Sequence, residues 1–407
     1  MKHHLQHHPL TIQNNQLIIA GKTADEIVAI VGQTPCYVYD SECIAEQVSI
    51  LKQRLPKGIK LHYAIKANPY APLVGRMASW VEGFDVASHQ ELLLALSSGM
   101  PAKNISFAGP GKSNADLNAA VASGVVINIE SKNELMRIYT VAEQQNKQAN
   151  IALRINPDFA LKHSGMSMAG GAKPFGIDAE LATELMANLN TERVNFKGLH
   201  IFSGSQNLNH DALMHAHDQT FALAYRLLKD AAVCASQINI GGGFGIPYFV
   251  NDTPLQITPL MDNLGRLMDE YWTLLNDAEI HLELGRYLVG SSGVYLSKVI
   301  DKKQSRGKTY LITDGGMHHH LANSGNFGQV IRKNYPVLLA NCFENETEEV
   351  VDVVGLLCTP LDIMASQVSL PTAQIGDLFA VLQSGAYGPT ASPQGFLSQP
   401  QVKEIML

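Results

Sequence analysis

Cysteine is scarce in this chain of 407 residues, and no two cysteines form a CxxC pair. The five that occur are odd in number and far apart: Cys36, Cys43, Cys234, Cys342 and Cys358. Disulfide frameworks and structural zinc sites require paired or regularly spaced cysteines, so we expect neither here. A cysteine that has a function should therefore act as a free thiol.

Long apolar runs and an excess of basic residues are missing as well. No run approaches the roughly 18 residues of a membrane-spanning helix, and the His-rich segment 1–10 lacks the charged-then-apolar order of an export signal. The 30 Lys and Arg residues against 37 Asp and Glu residues give a net charge of −7, which argues against nucleic-acid binding. We expect a soluble cytoplasmic protein with no membrane or nucleic-acid partner.

Between residues 61 and 288, short apolar runs alternate with longer amphipathic stretches, which predicts repeated βα units. The predicted strands are Leu61–Ile65, Phe84–Val86, Ile105–Ala108, Val125–Ile129, Ile151–Ile155, Phe196–Ile201, Gln237–Ile240 and Ile280–Leu284. The predicted helices between them include His89–Ser98, Lys132–Gln145, Ala179–Asn188 and Asp211–Ala235. Eight strands favour a closed (β/α)8 barrel over a doubly wound α/β sheet, which shows the same alternation.

The pattern changes near Gly290, where the chain becomes rich in Val and Ile and loses its helical stretches. The runs that predict a β domain are Val294–Ile300, Thr309–Thr313, Val350–Leu357 and Leu378–Leu382. Leu10–Ile19, with the turn candidate Asn14-Asn15, and Cys36–Tyr39 also predict strands. We therefore predict an α/β barrel over residues 40–290 and a C-terminal β domain over 291–407, which strands from 1–39 join.

Functional side chains of such barrels lie at the carboxyl ends of the strands. Lys66 directly follows the strand Leu61–Ile65, where a desolvated amine can attack a carbonyl, although position alone also fits a surface lysine. Gly241, Gly242 and Gly243 follow another strand and can bring backbone N–H groups onto a phosphate, or simply form a tight turn. The run matches neither GxGxxG nor GxxxxGK[ST], so dinucleotide and P-loop sites are excluded.

Three further features attract a chemical interpretation. Glu283 and Arg286 close the last barrel strand and can bind a protonated heterocycle and a phosphate, or pair with each other. Cys358 follows an apolar run, where a lone cysteine is more often part of the core than a catalyst. Adjacent histidines such as His318–His320 cannot all reach one ion, so we expect no metal site there.

Taken together, these motifs resemble the fold-type III pyridoxal-phosphate decarboxylases, the family of diaminopimelate, ornithine and arginine decarboxylases. The resemblance covers about residues 35–396 and rests on several motifs in order: Tyr63–Asn68, Phe84–Ser88, Gly204–Gln206, Gly241–Gly243, Glu283–Arg286, Cys358 with Asp362, and Gly385–Tyr387. It implies an alanine-racemase-like barrel, pyridoxal 5′-phosphate as cofactor, and a head-to-tail homodimer with shared active sites.

The resemblance also implies a role for each matching residue. Lys66 corresponds to the lysine that binds the cofactor through an imine, and Asp85 to a neighbour that tunes it. Glu283 would lie against the pyridine nitrogen, and Cys358 would be the proton donor, supplied by the neighbouring subunit. The remaining cofactor-binding residues would be Arg154 near the phenolic oxygen, Phe202 where much of the family stacks a histidine, and Ser205, Gly241, Gly242, Gly243, Gly285, Arg286 and Tyr387.

Glu283 distinguishes decarboxylation from racemisation within this resemblance. Loss of CO2 leaves an electron pair on Cα, which a protonated pyridine ring delocalises, and a carboxylate keeps that ring nitrogen protonated. Alanine racemases place an arginine there, which cannot accept a hydrogen bond. We predict a decarboxylase of an α-amino acid. A racemase and a non-catalytic pyridoxal-phosphate carrier remain alternatives, although the carrier class normally lacks the β domain with its Cys358.

Two departures from diaminopimelate decarboxylases concern the substrate. Those enzymes have Glu after the catalytic Cys and Arg-Pro after the Asp-x-Gly-Met motif, where this chain has Thr359 and Ala322-Asn323. A distal zwitterion would lose both charged partners. Other motifs resemble the exosortase-associated and butirosin-pathway subgroup, which implies a carrier-bound or otherwise modified amino acid and a possible acyl carrier protein partner. The predicted substrate-binding residues are Thr359, Asp362 and Arg332.

Overall fold

The computed structural model describes residues 11–160, 166–167, 170–249, 251–327, 329, 332–343 and 347–407. The His-rich segment 1–10 lies outside these residues. The chain divides into two compact units. The barrel unit comprises residues 47–246 and 255–288, and the β unit comprises the N-terminal residues to 46, the segment 247–254 and residues 289–407.

The strands, in chain order, are β1 Thr11–Gln13, β2 Gln16–Ile19, β3 Lys22–Thr23, β4 Cys36–Tyr39, β5 Ile59–Ala64, β6 Gly83–Val86, β7 Ile105–Phe107, β8 Val126–Ile129, β9 Ala149–Asn156, β10 Met166–Ser167, β11 Ile177–Asp178, β12 Val194–Ile201, β13 Gly204–Ser205, β14 Gln237–Gly242, β15 Glu279–Leu284, β16 Gly293–Ser305, β17 Lys308–Thr313, β18 Val337–Leu339, β19 Glu348–Val354, β20 Ile363–Pro371, β21 Leu378–Val381 and β22 Lys403–Met406. The α-helices are α1 Ala24–Val31, α2 Ser41–Arg54, α3 Ala71–Met77, α4 His89–Ser97, α5 Asn114–Ser123, α6 Lys132–Gln145, α7 Ala179–Ala187, α8 His210–Ala231, α9 Ile257–Tyr271 and α10 Arg286–Val289.

The barrel unit contains a closed barrel of eight parallel strands. Their order is β5-β6-β7-β8-β9-β12-β14-β15, and pairing of β15 with β5 closes the ring. Each strand coincides with one predicted from the alternation, within a few residues at either end. The sequence therefore predicted the barrel correctly.

Capping residues explain why helices begin so soon after the barrel strands. Ser88, Ser113 and Ser131 are the N-caps of α4, α5 and α6, and each hydroxyl accepts a hydrogen bond from a backbone N–H of the first turn. Such caps satisfy N–H groups that have no partner within the helix. The strands β6, β7 and β8 are thus followed by short loops, which lie at the carboxyl end of the barrel.

The centre of the barrel is polar, whereas branched apolar side chains fill most barrels of this type. Buried polar residues from seven strands lie there: His62, Asp85, Ser106, Asn128, His200, Asn239, His281 and Glu283. Contacts across the barrel join them, since Asn239 of β14 reaches Asp85 of β6 at 3.4 Å. The barrel core is therefore a cluster of polar side chains, joined in part by hydrogen bonds, that adjoins the carboxyl end.

The β unit is built on a sheet of order β18-β21-β16-β17-β19-β20, to which β4 and β22 are added beside β16. The N-terminal strand β4 therefore belongs to the C-terminal sheet, as predicted. The hairpin β1–β2 turns at Asn14 and Asn15, whose φ angles of 48° and 65° suit a tight turn of two residues. No helix among the described residues of either unit is long and apolar enough to cross a bilayer.

Two predicted strand ends in the β unit are wrong. β16 continues to Ser305 rather than ending at Ile300, because its exposed charged end pairs with β17 in a hairpin that carries no apolar pattern. β19 ends at Val354 rather than Leu357, because the following residues turn toward Asp362. Leu357 N–H donates to Asp362 Oδ2 at 2.9 Å, and Gly355 N–H donates to the Asp362 carbonyl at 3.0 Å.

Candidate active site

Lys66 lies at the carboxyl end of β5, within the short helical turn Ile65–Ala67. The hydroxyl of Tyr63 donates to the carbonyl oxygen of Asn68 at 2.9 Å and fixes this turn. The Lys66 side chain is 43% exposed, with Nζ 3.5 Å from Glu283 Oε1 and 5.3 Å from the centre of the Phe202 ring. The amine is therefore held at the barrel mouth, beside a carboxylate, and remains accessible.

Glu283 lies on β15 and is buried. Its Oε2 is 3.2 Å from His200 Nε2 and 3.5 Å from Asn239 Nδ2. Burial alone would raise the pKa of Glu283, but the Lys66 ammonium and the adjacent His200 imidazole outweigh burial and hold the pKa well below its usual range. Glu283 is thus a charged carboxylate that can accept a hydrogen bond from a protonated ring nitrogen.

The glycine run forms a cradle where β14 ends. Gly241 and Gly243 have φ angles of 70° and 84°, a region that side-chain-bearing residues rarely adopt. A Cβ on Gly242 would collide with the Glu283 carbonyl oxygen, and one on Gly241 would lie 3.0 Å from the Phe202 ring. The Asn239 side chain accepts a hydrogen bond from Gly241 N–H at 2.8 Å and so fixes the turn.

Arg154 lies on β9 and is held by a buried ion pair that the sequence did not indicate. Its Nη1 donates to Glu130 Oε1 at 2.8 Å. Glu130 also accepts from the backbone N–H groups of Gly109 at 2.6 Å and Gly176 at 3.1 Å. Burial opposes the charge on Glu130, yet Arg154 and the other donors outweigh burial and lower its pKa. Glu130 directly follows β8, so its position at a strand end was the available signal.

His200 and Phe202 lie in different surroundings although they are two residues apart. His200, in β12, contacts Glu283 inside the barrel, while Phe202 lies beside Lys66 and Gly241. Ser205 forms part of β13 just beyond them. Gly285 packs the start of α10 against the lysine turn, since its Cβ would lie 2.9 Å from Ala67 Cβ, and Arg286 is the first residue of α10.

These barrel residues fit pyridoxal phosphate. Lys66 offers an amine for the aldehyde, Glu283 a carboxylate for the ring nitrogen, and Phe202 an apolar ring face. Gly241, Gly242 and Gly243 form a turn without side chains, in which a Cβ on Gly241 or Gly242 would meet neighbouring protein atoms, and such a turn suits a phosphate group. The cofactor-binding residues predicted in the barrel are thereby brought to one end of one unit.

The other predicted site residues lie in the β unit, and their place in the active site stays a prediction. Cys358 is exposed, unlike most lone cysteines, in the turn between β19 and β20. Asp362 is buried and holds this turn, because it accepts from the N–H groups of Leu357 and Met317 at 2.9 and 2.6 Å. The hydroxyl of Thr359 accepts from Leu361 N–H at 3.3 Å.

Arg332 and Tyr387 complete this group. Arg332 is half-buried, and its guanidinium donates to the side chain of Asn334 and to the carbonyls of Ser324 and Ile363. Tyr387 is half-buried, with its ring centre 6.3 Å from that of Phe327. The hydrogen bonds of Arg332 stabilise the β unit itself, so a direct contact with substrate would require some of them to be exchanged.

The three adjacent histidines are buried in the β unit. His319 Nε2 lies 2.8 Å from the Pro400 carbonyl oxygen, and His320 Nε2 lies 2.9 Å from Ser384 Oγ. Within the described ranges, no three His, Cys, Asp or Glu side chains are grouped so that they could hold a metal ion.

The chain is similar to known pyridoxal-dependent decarboxylases. Residues 41–290 match the family model for the pyridoxal-binding domain of pyridoxal-dependent decarboxylases. The chain is 36% identical to an L-glutamyl-[BtrI acyl-carrier protein] decarboxylase of Niallia circulans, over 92% of this chain and 89% of the relative. It is 29% identical to a 2-[(L-alanin-3-ylcarbamoyl)methyl]-2-hydroxybutanedioate decarboxylase of Staphylococcus aureus, over 91% and 93% of the two chains.

A solved structure of a decarboxylase has a similar fold. Diaminopimelate decarboxylase from M. jannaschii in complex with L-lysine superimposes with a TM-score of 0.87 at 26% identity, covering 98% of this chain and 92% of that one. The chain therefore belongs to the pyridoxal-dependent decarboxylase family and is a lyase that uses pyridoxal phosphate.

Proposed function

We propose that this decarboxylase acts on an amino acid whose distal end is joined to a larger group, such as an acyl carrier protein, rather than on free diaminopimelate. The observation that carries the proposal is the loss of both charged partners for a distal zwitterion. Thr359 replaces a glutamate, and Ala322-Asn323 replaces Arg-Pro. Asn323 is buried, and its amide donates to the Met364 carbonyl oxygen at 2.8 Å, so it serves the β unit's own packing.

The two relatives reported above support this substrate class. One acts on a glutamyl group attached to an acyl carrier protein, and the other on an alanine whose side chain is joined to a hydroxy acid. In both names, the amino acid is covalently joined to a larger group. An extended substrate needs an open path at its distal end and has no second zwitterion to neutralise, which fits a site without the Glu and Arg pair.

Each barrel residue of the site has its own part in the proposed reaction. Bound pyridoxal phosphate supplies the ring that accepts the electron pair left when CO2 departs. Lys66 would hold the cofactor through its side-chain amine. The Glu283 carboxylate keeps a proton on the ring nitrogen, the Gly241–Gly243 cradle binds the phosphate, and Arg154 is oriented by Glu130.

We assign the last step, protonation of Cα, to Cys358 of a second copy of the chain. The exposed thiol lies in a turn that Asp362 fixes through two backbone N–H groups, so it is presented on a rigid support. A homodimer with shared active sites follows from this assignment. The proposed location of the enzyme is the cytoplasm.

The test compares substrates for the protein loaded with pyridoxal phosphate. CO2 release is measured with an L-glutamyl carrier-protein thioester, the matching N-acetylcysteamine thioester, diaminopimelate, lysine, ornithine and arginine. We expect CO2 release from the glutamyl conjugates. The kcat/KM for free diaminopimelate should be lower by a factor of about 100 or more, which corresponds to at least about 2.7 kcal/mol. Equal or faster decarboxylation of diaminopimelate would overturn the proposed substrate class.

A further inference from the structure

Two buried carboxylates lie in the polar centre of the barrel, Asp85 on β6 and Glu283 on β15. The amide of Asn239 lies between them, with Nδ2 3.4 Å from Asp85 Oδ1 and 3.5 Å from Glu283 Oε2. Two negative charges so near each other in a medium of low dielectric constant repel strongly. One of the two carboxylates should therefore hold a proton.

The hydrogen-bond partners of Asp85 show where that proton fits. Asp85 Oδ2 and His62 Nδ1 are 3.4 Å apart, and both are among the buried polar atoms without a hydrogen-bond partner. A carboxylate oxygen and an imidazole nitrogen without its hydrogen are both acceptors, so neither can satisfy the other. A single proton between Oδ2 and Nδ1 satisfies both atoms.

The other oxygen of Asp85 behaves as the carbonyl oxygen of an acid. Asp85 Oδ1 accepts a hydrogen bond from the Ser106 hydroxyl and lies in reach of the Asn239 amide. Ser106 in turn accepts from the amide of Asn128 at 3.2 Å. With Oδ1 accepting and Oδ2 donating, every polar atom of the Asp85 side chain has a partner, and no cation is required.

The surroundings of Glu283 are the opposite, because a cation lies beside it. Lys66 Nζ is 3.5 Å from Glu283 Oε1. The titratable groups that face Asp85 are His62 on the adjacent strand β5 and, from across the barrel, His200 on β12 and His281 and Glu283 on β15. The side chains that face it from β7 and β14, Ser106 and Asn239, do not titrate.

His62 and His281 are poor sources of positive charge. Their rings stack with centres 4.2 Å apart, and both are buried. Burial lowers the pKa of each to about 4, so both are neutral at physiological pH. Burial, together with the Glu283 charge, raises the pKa of Asp85 to about 7.

We propose that at mildly acidic pH Asp85 is a neutral carboxylic acid that donates a hydrogen bond to His62 Nδ1, which leaves Glu283 as the one charged carboxylate of the Asp85–Glu283 pair. Asp85 and His62 are then positioning residues that act through Glu283. Their effect is to keep the negative charge of the pair on Glu283, whose Oε1 lies beside Lys66. The opposite arrangement is an ionised Asp85 that accepts a hydrogen bond from His62 Nδ1–H, whether the ring is neutral or an imidazolium, and it would leave two buried negative charges on either side of the Asn239 amide.

Infrared spectroscopy distinguishes the two arrangements. The full-length protein is labelled with 13C at the aspartate carboxyl groups, and spectra are recorded with and without pyridoxal phosphate. At about pH 6 we expect a protonated-acid band in the wild-type protein that is absent from Asp85→Asn, and that fades as the pH rises past about 7. If the wild-type protein and Asp85→Asn have the same acid band, Asp85 is ionised and the proposal is wrong.

Asp352→Asn is the matched control. Asp352 is also buried, but it accepts hydrogen bonds from Gln367 N–H and the Ser366 hydroxyl, and its pKa is lowered despite its burial. Removal of this ionised aspartate should leave the acid band unchanged. The band of the wild-type protein is informative by itself if a variant fails to fold, since its pH titration needs no substitution.

Two further readouts are independent of catalysis. In 15N spectra of histidine-labelled protein, the signal lost in His62→Gln should be that of a neutral ring, and an imidazolium signal would contradict the proposal. Thermal unfolding measures whether stability rises or falls with pH. The folded protein retains the Asp85 proton to a higher pH than the unfolded chain, so this group makes stability fall as the pH rises from about 4 to about 7. Asp85→Asn should lack that part of the fall.

Discussion

At the scale of single residues, the clearest dependence is that of Arg154 on Glu130. Their side chains are 8% and 3% exposed and are joined at 2.8 Å, while Lys112 and Glu134 form a second buried pair at 2.9 Å nearby. The two pairs are connected, because Glu134 Oε2 accepts from Glu130 N–H at 2.8 Å. Removal of one charge from such a group leaves another charge buried without its partner.

Glu130→Gln should therefore destabilise the protein by about 3 kcal/mol and weaken pyridoxal-phosphate binding about tenfold or more. Unfolding in urea and titration of the cofactor measure the two effects. The control is Glu143→Gln, which breaks the exposed Arg193–Glu143 pair at 2.6 Å and should cost about 0–1 kcal/mol. Equal losses of stability in the two variants would show that burial of the Glu130–Arg154 pair does not increase its contribution to stability.

The stability difference between the wild-type protein and Glu130→Gln should depend on pH. The pKa of Glu130 is lowered from 4.5 in the folded protein, so its stabilisation is present above about 4.5 and is lost as the pH falls through the folded value. The advantage of the wild-type protein over Glu130→Gln should shrink in acid.

Sequence patterns predicted residues at strand ends better than the partners of those residues. Lys66, Gly241 and Glu283 follow or end barrel strands, and the rule for barrel sites found them. The contact between Asp85 and His62, by contrast, joins neighbouring strands inside the barrel. Alternation tells which face a side chain occupies but not which atoms it meets, so the polar centre could not be derived from the sequence.

At the scale of elements, β14 and β15 are adjacent, and their pairing explains why Gly242 cannot carry a side chain. Gly242 pairs with Glu283, at a shift in register between the two strands. A Cβ there would collide with the Glu283 carbonyl oxygen. The backbone of the proposed phosphate cradle and the backbone of Glu283 are thus in direct contact.

Gly242→Ala should force these two strands apart and displace both groups together. We expect a loss of cofactor affinity of about tenfold or more and a stability loss of about 1–3 kcal/mol. Gly265→Ala on α9 is the matched control, because its Cβ would meet nothing closer than Pro56 Cγ at 3.9 Å. That variant should gain about 0.5–1 kcal/mol, as alanine favours a helix interior. Unchanged cofactor affinity in Gly242→Ala would contradict the coupling.

Local sequence patterns predicted some strands well and others not at all. The eight barrel strands and β4 were predicted because they are short apolar runs bounded by turn residues. β20, Ile363–Pro371, was not predicted, since its burial alternates irregularly around polar residues such as Ser366 and Gln367. A strand of this kind is defined by its pairing with β19 rather than by its own composition.

At the scale of the whole molecule, the two units carry different parts of the predicted active site. Lys66 and Glu283 belong to the barrel unit, and Cys358 belongs to the β unit. If two copies of the chain share their sites, each site combines the barrel of one copy with the thiol of the other. Lys66→Ala and Cys358→Ala then damage different halves of a site, and each variant alone should release little CO2.

Mixing the two variants under conditions of subunit exchange should restore activity. Random exchange makes about half of the dimers mixed, and each mixed dimer has one intact site of two, so about a quarter of the wild-type rate is expected. Lys66→Ala mixed with Glu283→Ala is the control for sites that draw on a second copy. Both lesions then lie in barrels, every site of a mixed dimer contains one of them, and no activity should return. Recovery in the control, or none with Cys358→Ala, would show that Cys358 does not complete the site of another copy.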